Sequence, residues 1–424
     1  MRVLVLNPGS SSLKSSVVES STIPAETAAR PGTAGADSAA PAAAFAAPAV
    51  AFAALAPTGI APAPASLAPL ARVDVDWGVD ATAEGDPADD IRGLLRRCEA
   101  EGVPAASLGA VGYRVVHGGE RFREPVLVTP EVIQEVDALR SLAPLHNSIA
   151  VATMKAGLAA IPQLPHVAVF DTAFHATLPE DAYRYPVPER WYREWGVRRY
   201  GFHGMSVEWS TERAAQLLAR PAADLRLVVA HLGSGCSVTA TDGGRSVATS
   251  MGLTPLEGLM MGTRSGSIDP GILFYLLRNG WLTQDELDEQ LEHQSGLVGV
   301  SGRTSDVREL LRLEADGDGP ATLALRIFAR RAAECIAAAA TSLPALDAIV
   351  FTGGIGENAA GIRARIVARL ASIGIAPIAD VSAPSDAVIS SPGSSPAILR
   401  IEAREDLVVA RAAARLVEAG RPSE

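Results

Sequence analysis

The chain has 424 residues, 48% of them hydrophobic and 20% charged, which is enough for two domains with full cores and is the make-up of a soluble globular enzyme. Its net charge of −11, from 48 acidic against 37 basic residues, argues against nucleic acid or an anionic membrane as partner. Three scattered cysteines, Cys98, Cys236 and Cys335, with no C-x-x-C, suit a reducing cytoplasm and argue against a disulfide framework or a zinc site.

The chain opens directly on strand residues, so no secretory signal is expected. Val3 to Leu6 has the pattern of a strand, Gly9-Ser10-Ser11-Ser12 of a tight turn, and Leu13 to Val18 of a second strand. Freed backbone N–H groups, the hydroxyls of Ser10 and Ser12, and the point charge of Lys14 are what a phosphate requires. An ordinary Ser-rich hairpin turn is the alternative reading. Lys14 and Lys155 are the only two lysines among 37 basic residues, so a lysine at this turn stands out in a chain that otherwise uses arginine.

Residues 20–72 form a low-complexity block, and Ser38 to Ala71 carry no charge. Six prolines (Pro41, Pro48, Pro57, Pro62, Pro64 and Pro69) rule out the helix of about 20 residues that a membrane span needs. The block is expected to be a flexible insertion in a surface loop of the first domain. Beyond it, Arg72–Trp77 alternates as a strand, Asp86–Glu101 is helical, and Leu108–His117 is a buried strand ending at Gly118-Gly119. Helices are expected over Pro130–Leu139 and His146–Gly157, and Val167–Phe170 is a strand ending on Asp171.

A helix over Met205–Leu218 leads to a second strand–turn–strand, Arg226 to Ala240, whose turn holds His231, Leu232, Gly233, Ser234 and Gly235. Helices follow over Gly271–Asn279, Thr283–His293, Ser305–Ala315 and Ala321–Thr341. Ala348–Thr352 is a strand, Gly353–Asn358 a glycine loop, and Ala359–Leu370 a helix, an arrangement that offers a nucleotide the N–H groups of a helix start. The alternation of strands and helices specifies an α/β protein. Two phosphate-type hairpins suggest a duplicated architecture with a nucleotide held between the halves. No G-x-x-x-x-G-K-[ST] occurs, so a P-loop is excluded, and no G-x-S-x-G supports a serine hydrolase.

Taken together these segments resemble the acetate kinase family, part of the actin-like ATPase group. The resemblance rests on Asn7 to Lys14, Tyr113 to Gly119, Ala143 to Asn147, Phe170 to His175, Tyr200 to Gly204 and the His231 hairpin. It continues through Thr249 to Gly258, Gly262 to Gly266, Ser301 to Arg308 and the Gly353 loop. It implies a two-domain actin-like fold with nucleotide and substrate in the interdomain cleft. The first domain would comprise residues 1–174 plus about 402–424, and the second residues 175–401 with the nucleotide loops.

The implied activity is reversible transfer of phosphate between ATP and acetate, giving acetyl phosphate and ADP. A propionate or other short-chain acyl kinase is the alternative, and a non-catalytic actin-like ATP-binding protein a third reading. A carboxylate and a phosphoryl group repel, so such an enzyme must first neutralise charge, for which arginine's planar fork is suited. By resemblance Arg114 grips the carboxylate, Arg264 meets the transition state, Asp171 is the active-site acid, and His203 donates to phosphoryl oxygens. His117 and His175 are weaker candidates. The methyl group of acetate would sit among Val116, Leu145, Phe202 and Pro255.

The nucleotide would take Ser10, Ser12, Lys14, His231, Leu232, Gly233, Ser234 and Gly235, then Asp306, Val307 and Arg308, and Gly354, Ile355, Gly356, Glu357 and Asn358. Mg2+, with Mn2+ as a substitute, would be held by Asn7 and Glu405, and the enzyme would be a cytoplasmic homodimer. The chain departs from the family pattern at Ser234, Ala248 and Ser267, and at Glu402-Ala403-Arg404 before Glu405.

Overall fold

The computed structural model describes residues 1–8, 12–20, 68–76, 87–378 and 386–420. The first half contributes strands β1 (Arg2–Pro8), β2 (Ser12–Glu19), β3 (Ala71–Asp76), β4 (Leu108–Val115), β5 (Val126–Leu127) and β6 (His166–Phe170). The second contributes β7 (Arg226–Leu232), β8 (Cys236–Asp242), β9 (Arg245–Thr249), β10 (Ala348–Thr352), β11 (Ala387–Val388) and β12 (Ala397–Arg400). Helices α1 (Pro87–Ala100), α2 (Pro130–Ala138), α3 (Pro144–Ala160), α4 (Glu180–Tyr183), α5 (Glu189–Trp195) and α6 (Gly204–Leu218) precede the second sheet. Next come α7 (Pro270–Arg278), α8 (Gln284–His293), α9 (Gly296–Ser301), α10 (Val307–Ala315) and α11 (Gly319–Ala340). The chain closes with α12 (Gly353–Asn358), α13 (Ala360–Arg369) and α14 (Glu405–Ala419).

The two sheets repeat one plan. Their strand orders are β3-β2-β1-β4-β6-β5 and β9-β8-β7-β10-β12-β11. In each, three antiparallel strands lead, the first of them pairs in parallel with a later strand that in turn pairs in parallel with the next, and a short antiparallel strand closes the edge. The duplication expected from the paired hairpins is therefore present strand for strand.

Period-two alternation assigns each strand's side chains to separate cores. Leu4 and Leu6 of β1 join Tyr113, Val115 and Phe170 beneath α1 and α3. Val3 and Val5 face the other way, into a middle core shared with Leu227, Val229, Ala348 and Val350 of the second sheet. Helices α6 and α14 supply that middle layer: α14 packs on β1, β4 and β6, α6 packs on β7 and β10, and the two touch. The approach is close, since a β-carbon on Gly112 of β4 would fall 2.7 Å from Val409 of α14. Arg411 of α14 is buried between Glu208 and Glu212 of α6, at 2.8 and 2.7 Å. A third core, around Phe328 of α11, lies on the far face of the second sheet. Among the described residues no helix is long and apolar enough to cross a membrane.

The expected elements correspond to observed ones, with two corrections. Gly353–Asn358 is not a loop but the short helix α12: Gly353 takes φ +76°, and after that turn Gly354 to Asn358 continue helically. The low-complexity block expected over residues 20–72 ends earlier, because Ala71 and Arg72 already belong to β3. Of its remainder, residues 21–67 lie outside the described residues.

Its flanks are fixed. β2 and β3 pair antiparallel with Val17 opposite Ala71, and the Leu70 amide donates to Val17 O at 2.8 Å. The block thus enters and leaves at adjacent ladder positions on an edge of the first sheet. Replacing residues 21–67 with a four-residue Gly/Asn turn should leave activity intact. Shortening the closed loop is worth up to about 2 kcal/mol of added stability. A urea unfolding curve and a turnover assay on that variant read both, and insoluble, inactive protein is the contrary result.

Candidate active site

The parallel strands of both sheets end at one cleft of about 640 Å³, and their C-terminal ends carry its polar side chains. Asn7 lies near the end of β1, Arg114 near the end of β4, Asp171 directly after β6 and His231 near the end of β7. Glu405 begins α14, where the helix dipole favours an acid.

Arg114 is the hub. Its Nη2 lies 2.6 Å from Asp171 Oδ2, and its Nε donates to both Asp171 oxygens at 3.1 and 3.2 Å. Its Nη1 reaches Glu405 Oε2 at 2.8 Å and Asn7 Oδ1 at 3.3 Å. Burial opposes the charge on Arg114, but Asp171 and Glu405 outweigh it and raise its pKa. Burial pushes the Asp171 carboxyl up, with Arg114 pulling against it.

Arg264 approaches from the second half. Its loop is stapled to the end of α8: the Ser265 amide donates to Leu291 O, Thr263 Oγ1 to Glu292 O, and the Ser295 amide to Thr263 O. Glu292 Oε2 takes the Arg264 Nε at 2.9 Å, which leaves Nη1 toward Pro255 O and Nη2 toward His146 Nε2, each at 3.4 Å.

Two imidazoles complete the cleft. His203 precedes α6 with φ +57°, a left-handed conformation that non-glycine residues adopt at some cost. Gly204 makes that turn possible, because any β-carbon there would collide with Asp171 O. The His203 and His231 rings stack with centroids 4.1 Å apart and planes 13° from parallel. Burial and neighbouring cations hold His203 well below its usual pKa and lower His231 to about 4. His146 is lowered to about 3 by burial, Arg264 and Arg114. The cleft's positive charge therefore comes from arginine and lysine.

Most of the expected site residues line this cleft. Asn7, Arg114, Asp171, Glu405, His203, His231 and Arg264 form its polar wall, and Val116, Phe202 and Pro255 its apolar patch. Lys14, Gly233, Ser234, Gly235, Gly354 and Glu357 line it too. Val116 lies just past the end of β4, so strand alternation does not place it, yet it reaches the cleft beside Arg114.

Other expected residues are set differently. Leu232 and Gly356 are buried beside the cleft, and Ile355 is half-buried. Asn358 donates to Gly354 O at 2.9 Å. Asp306 caps α10 and pairs with the exposed Arg308 at 2.6 Å, while Val307 is buried in the core of the second half. Ser10 lies outside the described residues, as do the side chains of Ser12 in β2 and Leu145 in α3.

Sequence reasoning missed His146, Glu292, Arg72, Asp74 and Asp406. His146 sat inside the Ala143–Asn147 motif, where it could have been found. Arg72 and Asp74 lie on β3 opposite Ser16 and Lys14, a pairing across the low-complexity block that spacing does not reveal. Ser267 does structural work instead of site work: its hydroxyl and amide close on Gly258 at 3.0 Å each. Cys236 is buried, its thiol pushed up to about 12, which fits a small packing residue.

The family model for the acetokinase family matches residues 78–411. This chain belongs to the acetokinase family. An acetate kinase of Deinococcus radiodurans is 51% identical over 333 residues, covering 76% of this chain and 82% of that protein. Among solved structures, a propionate kinase from Francisella tularensis superposes with TM-score 0.79 at 33% identity, covering 98% of this chain and 99% of that one. The acetate kinase of Porphyromonas gingivalis gives TM-score 0.78 at 30% identity, with 98% and 99% covered. The architecture is that of these acetokinases, within the actin-like ATPase fold.

Six imidazoles (His117, His146, His166, His175, His203 and His231) have lowered pKa values, with burial the first cause in each. An unfolded imidazole takes a proton near 6.5, whereas the folded His117, His175 and His231 refuse it until about 4. Their stability contribution is complete above about pH 7 and is lost as pH falls from 6.5 toward 4, at roughly 1.4 kcal/mol per proton per pH unit. Asp171, with its raised pKa, acts in the opposite sense. Urea midpoints at about pH 7, 6 and 5 should therefore drop steeply, and a flat profile would contradict the burial of these rings.

Proposed function

We propose that this chain catalyses reversible Mg-ATP-dependent phosphoryl transfer to acetate, giving acetyl phosphate and ADP. The observation that carries the reading is the convergence of Arg114 and Arg264, from opposite halves, on one cleft that Val116, Phe202 and Pro255 also line. Two guanidinium groups and a few apolar side chains in one cleft suit a small carboxylate that must meet a phosphoryl group. Asp171 and Glu405 hold Arg114 in a fixed plane, so its fork is set before substrate arrives. Arg264, oriented by Glu292, would meet the charge that spreads over the transferred group.

ATP would lie along the Gly233–Gly235 turn and the start of α12, with its phosphates toward Lys14. The halves divide as residues 1–174 plus 402–424 and residues 175–401, the nucleotide belonging mainly to the second. The cleft offers the oxygen ligands a hard cation takes, from the Asn7 amide and the Glu405 and Asp171 carboxylates, with Asn7 Nδ2 donating to Glu405 Oε2 at 3.4 Å. Asn7 and Glu405 would hold Mg2+, which supplies neutralisation of phosphate charge when bound.

Propionate is the second reading, favoured by the Francisella propionate kinase structure. Half-buried Val116 beside Arg114 favours the smaller acid. A second copy of the chain would cover α7, in which no residue is buried and Ile272, Phe274, Tyr275 and Leu277 are exposed next to Trp281. Sedimentation velocity should give a dimer for the parent and a monomer for Phe274→Asp; a monomeric parent rejects this face.

Hydroxamate assays with acetate and propionate test the activity itself. Acetate should be preferred by a modest factor, one methylene being worth about 1–3 kcal/mol. Arg264→Ala should lower kcat by roughly 10²-fold, while Arg114→Ala should chiefly raise the KM for acetate. Normal turnover in a folded Arg264→Ala variant would refute the assignment.

A further inference from the structure

Two buried hydroxyls behind the stacked histidines decide what those rings can offer. Ser237 Oγ on β8 lies 2.9 Å from Nδ1 of His203, and Ser206 Oγ on α6 lies 2.8 Å from Nδ1 of His231. Both serines are fully buried, at 0% exposure. The opposite nitrogens face the glycine turns of the cleft. A β-carbon on Gly235 would come within 3.3 Å of His203 Nε2 and 3.7 Å of Arg264 Nη1. One on Gly353 would come within 3.1 Å of His231 Nε2, and one on Gly233 within 3.6 Å. His203 Nε2 therefore shares its turn with Arg264, and His231 Nε2 sits over the two turns of the nucleotide end.

Each ring is uncharged near neutral pH and carries a single N–H. The serine determines which nitrogen holds it. Among the described residues, the only hydrogen bond either hydroxyl makes is to its imidazole. If Nδ1 carried the proton, the serine would accept it, and its own O–H would be buried without an acceptor, a costly arrangement. If the serine donates to Nδ1, every group is satisfied and the proton sits on Nε2.

We infer that Ser237 and Ser206 are positioning residues that lock His203 and His231 as Nε2–H tautomers, so that both rings donate into the cleft. The inference rests on the phosphoryl-transfer reading for its purpose: two neutral, parallel donors meet phosphoryl oxygens from the acetate side and from the nucleotide side. The wrong tautomer would turn a lone pair toward those oxygens and repel them.

The test uses the full-length protein with 15N-labelled histidine, with His203→Gln and His231→Gln to assign the signals. Long-range 15N–1H correlation at about pH 7.5 should show both rings protonated on Nε2. Ser237→Ala should move His203 toward a tautomer mixture and lower kcat about tenfold, a loss equal to about 1.4 kcal/mol of transition-state stabilisation. The KM for acetate should stay within about twofold. Ser237→Thr, which keeps the hydroxyl on a strand, should restore kcat, and Ser206→Ala should act in the same way through His231.

An Nδ1–H signal from either parent ring overturns the inference, as do folded Ser→Ala variants with unchanged tautomers and kcat. A variant that fails to fold leaves the parent spectrum to decide. A parent with the expected tautomers and no acetate-dependent turnover would reject the kinase reading while leaving the tautomer assignment standing.

Discussion

A single guanidinium ties together the parts of the chain that the cleft depends on. Arg114 projects from β4 and binds Asp171 beyond β6, Asn7 on β1 and Glu405 on α14. Those positions span nearly the whole sequence, and without the arginine two carboxylates would face one another in a partly dry site. Removing one partner of such a pair leaves the other buried and unpaired, which costs far more than the pair is worth. The ion cluster is thus a fastening of the first sheet to α14 that also fixes the arginine's plane at the cleft.

The same economy of charge appears on the other wall. Arg264 is held at Nε by Glu292, so an acid sits in a site that must handle anions. Its role is orientation: with Nε engaged, the two terminal nitrogens are aimed into the cleft. The stacked histidines, held below their usual pKa by burial, line the cleft without adding charge.

Much of this was legible in the chain because local chemistry carried it. The Asn7–Lys14 hairpin, the Asp171 strand end, the Phe202-His203-Gly204 turn and the Gly353 segment each announce themselves through residue types at short spacing. The duplicated topology followed from recognising the same hairpin twice. What escaped notice was set by long-range pairing. Glu292 matters only because α8 returns to the Arg264 loop, and Arg72 and Asp74 only because β3 pairs with β2 across residues 21–67. The α12 helix was taken for a loop because its glycines suggest irregular backbone, whereas only Gly353 among its first residues needs positive φ. The weak strands β9, β11 and β12 and the short helices α4, α5 and α9 lacked the length or periodicity to stand out.

The placement of α14 has a consequence for biosynthesis. Val3 and Val5 of β1 gain the last of their core neighbours when Leu407 to Ala414 arrive, since α14 packs on the inner face of the first sheet. Ribosomes add roughly 5–20 residues per second, so about 300 residues separating β4 from α14 correspond to a wait of roughly 15–60 seconds. During that interval one apolar face of the nascent first sheet has no native cover. The late cover is written into the topology, at the inner face of β1, β4 and β6.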